Sequence, residues 1–131
     1  MKTDIPNRYY RFAEAALDLA AINENDMTHS LCAFIVRKNK VLSVGYNSRK
    51  TNTIAKHYKM QMTHAECHAI IRCPENEIKG STLIVVRARP SGKPGTARPC
   101  INCSKVIKDS GIKQVFYTTT NDEVILENIK Y

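Results

Sequence analysis

The chain has no tryptophan, and aromatic residues make up only 7% of it. The stacked aromatic platforms on which single-stranded nucleic acids are laid are therefore scarce. Glycine and proline number five each, too few for a collagen-like or low-complexity disordered chain. No apolar run approaches the roughly 20 residues of a membrane-spanning helix, and the opening MKTDIPNRYY shows neither an apolar h-region nor a cleavage site. A secreted or membrane-embedded protein is not expected; the expected setting is the cytoplasm. Thiols stay reduced there, and an odd count of five cysteines points to metal binding or packing rather than to a disulfide framework. With 131 residues, 43% of them hydrophobic, one compact domain over residues 1–131 is expected.

Acidic residues are missing where cations are dense. None lies between Asp26 and Glu66, a stretch holding Arg37, Lys38, Lys40, Arg49, Lys50, Lys56 and Lys59. None lies between Glu77 and Asp109 either, where Lys79, Arg87, Arg89, Lys93, Arg98, Lys105 and Lys108 stand. Fourteen of the twenty cations thus occupy two acid-free stretches of a chain of net charge +8. That placement favours an anionic partner, a phosphorylated small molecule or a nucleic acid. A solvated basic surface accounts for the charge equally well.

From Asn7 to about Asn25 the residues Tyr9, Phe12, Ala13, Ala16, Leu17 and Ala20 recur at three and four, the period of an amphipathic helix, with Asn7 as its expected cap. LCAFIVR (31–37) and VLSVGY (41–46) read as a β-hairpin. Residues 47–63 are polar and patternless, a long loop of the kind that carries function. A helix is expected from Thr63 to Arg72 or Cys73, stopped ahead of Pro74. A strand over 81–88 follows, then an irregular loop over 89–99 that holds two glycines and three prolines. A third helix over 100–110 is expected to end at Gly111. The segment 113–120 is a strand, and a turn at Thr120, Asn121 and Asp122 leads to a last strand, EVILENI (123–129), antiparallel to its neighbour; a short helix from Asp122 competes with it. This order implies a central sheet with helices on its faces.

Two short segments stand at helix starts, His64-Ala65-Glu66 and Pro99-Cys100-Ile101-Asn102-Cys103. Two thiolates three positions apart can converge on one ion, and an imidazole from a second helix start makes a third ligand. One tetrahedral position is left open, as in a catalytic rather than a structural zinc site. Chance gives a His-x-Glu roughly 0.2 times in such a composition but Pro-Cys-x-x-Cys only roughly 0.007 times. Each piece also has a plainer reading. Thr63 to Glu66 forms a capping box, and Cys100 with Cys103 spells a redox pair. His64 and His68 share a helical face, but not in the HExxH order of metalloproteases. His68, Cys67 and Cys73 read as helix packing and Cys32 as a buried residue of the first strand.

Together the segments form the H-x-E, P-C-x-x-C signature of zinc-dependent nucleobase deaminases, and the sequence resembles the cytidine and deoxycytidylate deaminase superfamily. The likeness runs through CAFIVRKNKVLSVGYNS, HAECHAI and PCINCSKVIKDSGIKQVFY. It implies an α/β fold of three layers, α-β-α, with a central mixed sheet of about five strands and helices on both faces. It implies Zn2+ as cofactor, with His64, Cys100 and Cys103 as ligands and Glu66 as the catalytic proton shuttle. Asn47 and Ala65 are the implied substrate contacts, although Asn47 also reads as a turn residue after Gly45. The implied reaction is hydrolytic deamination of a cytosine nucleotide or nucleoside, dCMP or deoxycytidine foremost, to the uracil product with release of ammonia. The alternative is a cytidine or adenosine deaminase of tRNA or single-stranded DNA or RNA. A non-catalytic zinc module is disfavoured, because a structural site supplies a fourth ligand and needs no acid.

Departures from the family pattern are local. About ten residues separate the third strand from the PCxxC segment, where deoxycytidylate-type members pass almost directly. Arg98 precedes Pro99. The inserted loop, with Arg87, Arg89, Lys93 and Arg98, is expected to overhang the site and clasp a 5′-phosphate or a polynucleotide backbone. An antiparallel last strand is more like the free-nucleoside branch than the deoxycytidylate or tRNA branches. A homo-oligomer is expected on family likeness alone.

Overall fold

A computed structural model of the chain describes residues 5–22, 30–60 and 62–131. Helix α1 (Asn7–Ile22) buries Tyr9, Ala13, Ala16 and Ala20, so its inner face is nearly all small side chains that let it lie close on a sheet. It starts at Asn7 itself, with the Pro6 carbonyl accepting the Tyr9 N–H at 3.1 Å, so Asn7 stands inside the first turn rather than ahead of it. The expected extension to Asn25 lies outside the described residues.

Strands β1 (Ser30–Arg37) and β2 (Lys40–Tyr46) form the expected hairpin. Its two turn residues, Lys38 and Asn39, have φ of 49° and 63°, the left-handed pair of a type I′ turn whose twist matches the strands. Residues 47–63 are not a featureless loop. They contain α2 (Thr53–His57), capped by Asn52, whose Oδ1 accepts the Ala55 N–H at 2.8 Å. The ends of the segment are tied by a bridge between Ser48 and Thr63. Helix α3 (Ala65–Arg72) follows and ends at Cys73, ahead of Pro74. One turn, α4 (Glu75–Ile78), leads to β3 (Thr82–Ala88). The expected irregular loop contains a two-residue strand, β4 (Pro94–Gly95), paired antiparallel with β3. Helix α5 (Ile101–Ser110) closes on Gly111 at φ 92°, the left-handed conformation glycine adopts without steric cost. Strands β5 (Gln114–Thr118) and β6 (Leu126–Lys130) are antiparallel, as expected, and no helix forms at Asp122.

The strand order is β2-β1-β3-β5-β6, with β4 on the side of β3. The sheet is mixed, β3 and β5 being parallel, and has six strands because of the short β4. Successive side chains along a strand point to opposite faces. One set, Cys32, Phe34, Val36, Ile84, Val86 and Phe116, packs with α1. The alternate set, Ala33, Ile35, Leu83, Val85, Val115 and Tyr117, packs with residues of α3 and α5. The layers are therefore α-β-α. Cys32, Cys67 and Cys73 are buried in these clusters, as expected.

Candidate metal centre and active site

The site is built on the start of α3 and the start of α5. Helix α3 lies against β2 at a separation that only glycine permits: a Cβ on Gly45 would fall 2.2 Å from the Ala69 nitrogen and 2.5 Å from the Ala65 carbonyl oxygen. Two hydrogen bonds hold the pair at that distance. Ser43 Oγ donates to the Ala69 carbonyl at 2.6 Å, and the Tyr46 N–H donates to His68 Nδ1 at 2.9 Å. His68 therefore satisfies a strand donor as well as packing. Burial, and next the charge of Arg72, hold its pKa below the ordinary value.

The alternative reading of Thr63 to Glu66 as a capping box is not realised. His64 is the N-cap of α3 with no side-chain capping bond, and Thr63 Oγ1 instead accepts the Asn52 N–H at 2.8 Å. This places Glu66 in the first turn with its carboxyl inside the protein. At the other helix start Cys100 is the N-cap, its Sγ accepting the Cys103 N–H.

His64, Cys100 and Cys103 come together. His64 Nδ1 is 3.0 Å from Cys103 Sγ and 3.7 Å from Cys100 Sγ, and the three donor atoms lie within 4.8 Å of one another. Tetrahedral zinc with ordinary bond lengths sets nitrogen and sulfur about 3.6 Å apart, so the donor set fits that ion in chemistry and in spacing. Burial lowers the His64 pKa, keeping the ring neutral as a ligand must be. Cys103 is held as a thiol by its hydrogen bond with Cys67 and by burial, so a cation is needed to ionise it.

Glu66 is 3% exposed, and its Oε1 has no hydrogen-bond partner. Burial pushes its pKa up to about 7, against smaller lowering contributions from its own backbone N–H and Cys103. Such a carboxyl holds or releases a proton near neutrality, the property of a general acid and base.

Glu66, His64 and Cys100 line a cavity of about 200 Å3 together with Asn47, Ala65 and Arg98. Drug-sized ligands occupy roughly 300–1,000 Å3, so this space takes one small ring. Asn47 is no turn residue: it is buried, and its Oδ1 accepts the Leu31 N–H at 3.0 Å. Arg98 is exposed at the cavity wall, its Nη1 donating to Tyr117 Oη at 2.6 Å. Tyr117 Oη in turn donates to Glu127 at 2.8 Å.

The remaining inserted cations do not overhang the site as expected. Arg89 donates to the carbonyls of Pro94 and Asn121 at 3.0 and 2.9 Å, and Lys93 pairs with Asp122 at 3.1 Å. Among Arg87, Arg89, Lys93 and Arg98, the lining residue is Arg98. Sequence reasoning missed Leu31, Thr96 and Ala97 as lining residues. It also missed Gly45, although a glycine inside a strand signals close backbone approach.

An α-β-α layered sheet carrying a His-Cys-Cys donor set beside a buried acid defines the class of zinc-dependent base deaminases. Residues 6–119 match the family described as the cytidine and deoxycytidylate deaminase zinc-binding region, and the chain belongs to that family. A deoxycytidylate deaminase of Mycobacterium phage D29 is 33% identical over 72 residues, 55% of this chain. The matched stretch spans 43% of that relative's length. The dCMP deaminase of the cyanophage S-TIM5 in apo form is 26% identical with a TM-score of 0.56, covering 91% of this chain and 86% of that one. The S-TIM5 enzyme is also known in complex with dCMP and dUMP, at 25% identity and the same TM-score, covering 91% and 84%. The cytidine deaminase of Mycobacterium tuberculosis shares the fold at a TM-score of 0.52 and 16% identity, covering 85% of each chain. Among the described residues no helix is long and apolar enough to cross a membrane.

Proposed function

We propose that this chain is a single-domain, zinc-dependent hydrolase that deaminates a cytosine nucleotide, dCMP in the first place and deoxycytidine as the closest alternative, to the uracil product and ammonia. The observation that carries this reading is Glu66, a buried carboxyl with an unpartnered oxygen that faces the same small cavity as His64 and Cys100. The two S-TIM5 structures support a cytosine nucleotide as substrate.

His64, Cys100 and Cys103 would hold the ion. When bound there, zinc lowers the pKa of water toward neutrality and so supplies a nucleophile. Glu66 takes the proton that water gives up and delivers it to the ring nitrogen beside the reacting carbon. Once the carbon–oxygen bond has formed, the same carboxyl takes the remaining proton of that hydroxyl, which becomes the product's carbonyl, and passes it to the amine as the carbon–nitrogen bond breaks and ammonia leaves. Its pKa near neutrality lets one group act in both directions. Asn47 and Ala65 form the cavity wall against which the base and sugar are oriented. The helix N-terminal dipole of α5 favours charge on the two sulfurs. Arg98, fixed by Tyr117 at the mouth, supplies the guanidinium suited to a 5′-phosphate.

The test is ammonia release by the zinc-loaded chain from cytosine, adenine and guanine compounds offered as bases, nucleosides, monophosphates and short oligonucleotides. Turnover is expected with cytosine nucleotides and nucleosides only. Glu66→Gln keeps the volume of the side chain and removes the titrating proton; it is expected to lose about 10²–10⁴-fold in rate with zinc content unchanged. Full activity in Glu66→Gln, or turnover confined to oligonucleotides or to adenine compounds, would overturn the proposal.

A further inference from the structure

Of the five cysteines, Cys100 and Cys103 belong to the donor set, Cys32 lies on the α1 side of the sheet and Cys73 ends α3. Cys67 stands apart from these. It lies three positions after His64, one turn along α3, and so on the face that presents the imidazole to α5. His64 Nδ1 reaches Cys103 Sγ at 3.0 Å. Cys67 and Cys103 are both fully buried and share one cluster with Met60. Cys67 is outside the donor trio and does not line the reactive cavity.

The three sulfurs form a row. Cys103 is hydrogen-bonded with Cys67, and Cys67 Sγ donates to Met60 Sδ at 4.0 Å. A thiol is a weak donor and a thioether a weak acceptor, so the Met60 link is easily given up. A sulfur that ligates zinc is a thiolate. It has no proton to give, and its charge makes it a strong acceptor. The Cys67 proton then faces two acceptors, a neutral thioether on one side and an anionic sulfur on the other. Hydrogen bonds to an ionised partner are roughly twice as strong as neutral ones. Turning about the Cβ–Sγ bond of Cys67 carries its proton from one to the other, with no heavy atom displaced.

We propose that Cys67 is a positioning residue of the metal centre, its thiol donating a hydrogen bond to Cys103 Sγ when zinc is bound. This rests on the zinc reading of the site. Cys67 itself stays a neutral thiol throughout. Its bond fixes the direction of the Cys103 side chain and draws charge away from the sulfur, as partners of metal ligands do.

The test compares Cys67→Ser, which keeps a donor, with Cys67→Val, which keeps apolar volume without one. Zinc affinity by competition with a chromophoric chelator should fall about tenfold or more in Cys67→Val and stay within about threefold of wild type in Cys67→Ser. With Co2+ in place of zinc, the thiolate-to-metal charge-transfer band should move to lower energy in Cys67→Val and hold its position in Cys67→Ser. A packing role alone would reverse the order, with valine tolerated and serine harmful. Met60→Leu, which conserves volume and removes the competing acceptor, should leave zinc affinity undiminished and the band unmoved. Wild-type affinity and band position in Cys67→Val, losses in Cys67→Ser equal to those in Cys67→Val, or a tenfold loss in Met60→Leu would each overturn the proposal. A wild-type chain that binds neither ion would overturn the zinc reading as well, which separates the two failures.

Discussion

Replacing Gly45 by alanine should dismantle the active site although Gly45 is not among the residues that line it. The added Cβ would stand 2.2 Å from the Ala69 nitrogen and 2.5 Å from the Ala65 carbonyl oxygen. Ordinary contact begins at 3.4 Å. Both obstructing atoms are backbone, so no side chain can swing aside, and α3 as a whole must retreat by roughly 1.2 Å, the shortfall from ordinary contact. Overpacking of this kind costs about 3 kcal/mol, the upper end of the usual range, or about 10 °C in Tm for a chain of this size. The retreat also carries His64 and Glu66 away from Cys100 and Cys103, which ride on α5. Metal sites tolerate displacements of only about 0.2 Å in ligand distance, and a misplacement of about 1 Å costs on the order of 10²-fold in rate.

The assay is a comparison of three chains by thermal melting, zinc content after dialysis, and ammonia release from dCMP. Gly80→Ala is the control, because nothing lies within 4 Å of its added Cβ and its only penalty is a φ of +80°. Wild type and Gly80→Ala should retain zinc and activity, with Gly80→Ala melting a few degrees lower. Gly45→Ala should melt about 10 °C lower, lose zinc and lose nearly all turnover. A Gly45→Ala chain that melted within two degrees of wild type and held zinc would refute the claim that the α3–β2 separation sets the site.

Three further outcomes follow from particular contacts. Because burial holds the His68 pKa below its unfolded value, the unfolded chain binds the extra proton first as pH falls; the stability His68 contributes is complete above about pH 6.5 and is lost as pH drops through the lower folded value. Urea melts between pH 7.5 and 5 should therefore show a steeper loss in wild type than in His68→Leu, which at pH 7.5 is less stable by about 1 kcal/mol for its missing hydrogen bond. Tyr117→Phe removes the hydroxyl that Arg98 donates to and should raise KM several-fold for dCMP and little for deoxycytidine, with kcat kept for both; equal shifts would separate Arg98 from phosphate recognition. Thr118→Val deletes a fully buried hydroxyl that accepts the Arg87 N–H and donates to the Gly95 carbonyl, and chemical denaturation should register a loss of about 1–3 kcal/mol.

The parts of the fold that repeat with a period were readable, and the parts settled by one contact were not. Runs such as LIVV in β3 are apolar without alternation because both faces of the sheet are covered, and that pattern gives the central strands directly. Gly111 and Pro74 mark helix ends for reasons confined to their own backbone. Helix α2 is too short to show a period, and only Asn52 hints at it. The tetrapeptide from Thr63 to Glu66 has the composition of a capping box, but Thr63 Oγ1 is already engaged by Asn52, eleven positions away in sequence. That tertiary bond leaves Glu66 free to turn inward. The donor trio was legible because metal chemistry restricts residue type and spacing together. The reach of the inserted loop was not, since Arg89 and Lys93 find their partners at Asn121 and Asp122, about thirty residues on.

The metal centre is thereby suspended between two dockings that share no residue. The His64 half is set by α3 seated on β2 at Gly45, Ser43 and Tyr46. The Cys100 half is set by the inserted segment, which is stitched to β5 on its way to α5. Thr118 accepts the Ala97 N–H on its carbonyl at 3.0 Å and donates its hydroxyl to the Gly95 carbonyl at 2.7 Å, and Thr120 Oγ1 accepts the Thr96 N–H at 3.0 Å. The extra residues between β3 and the PCxxC segment thus form a strap that fixes where Cys100 begins its helix. The two halves also meet directly where α3 and α5 pack in one cluster around Cys67 and Cys103, so the ion adds to a link that exists without it. In zinc-loaded protein Gly45→Ala and Thr118→Val should therefore couple more strongly than in metal-stripped protein, where their effects on stability should come closer to adding.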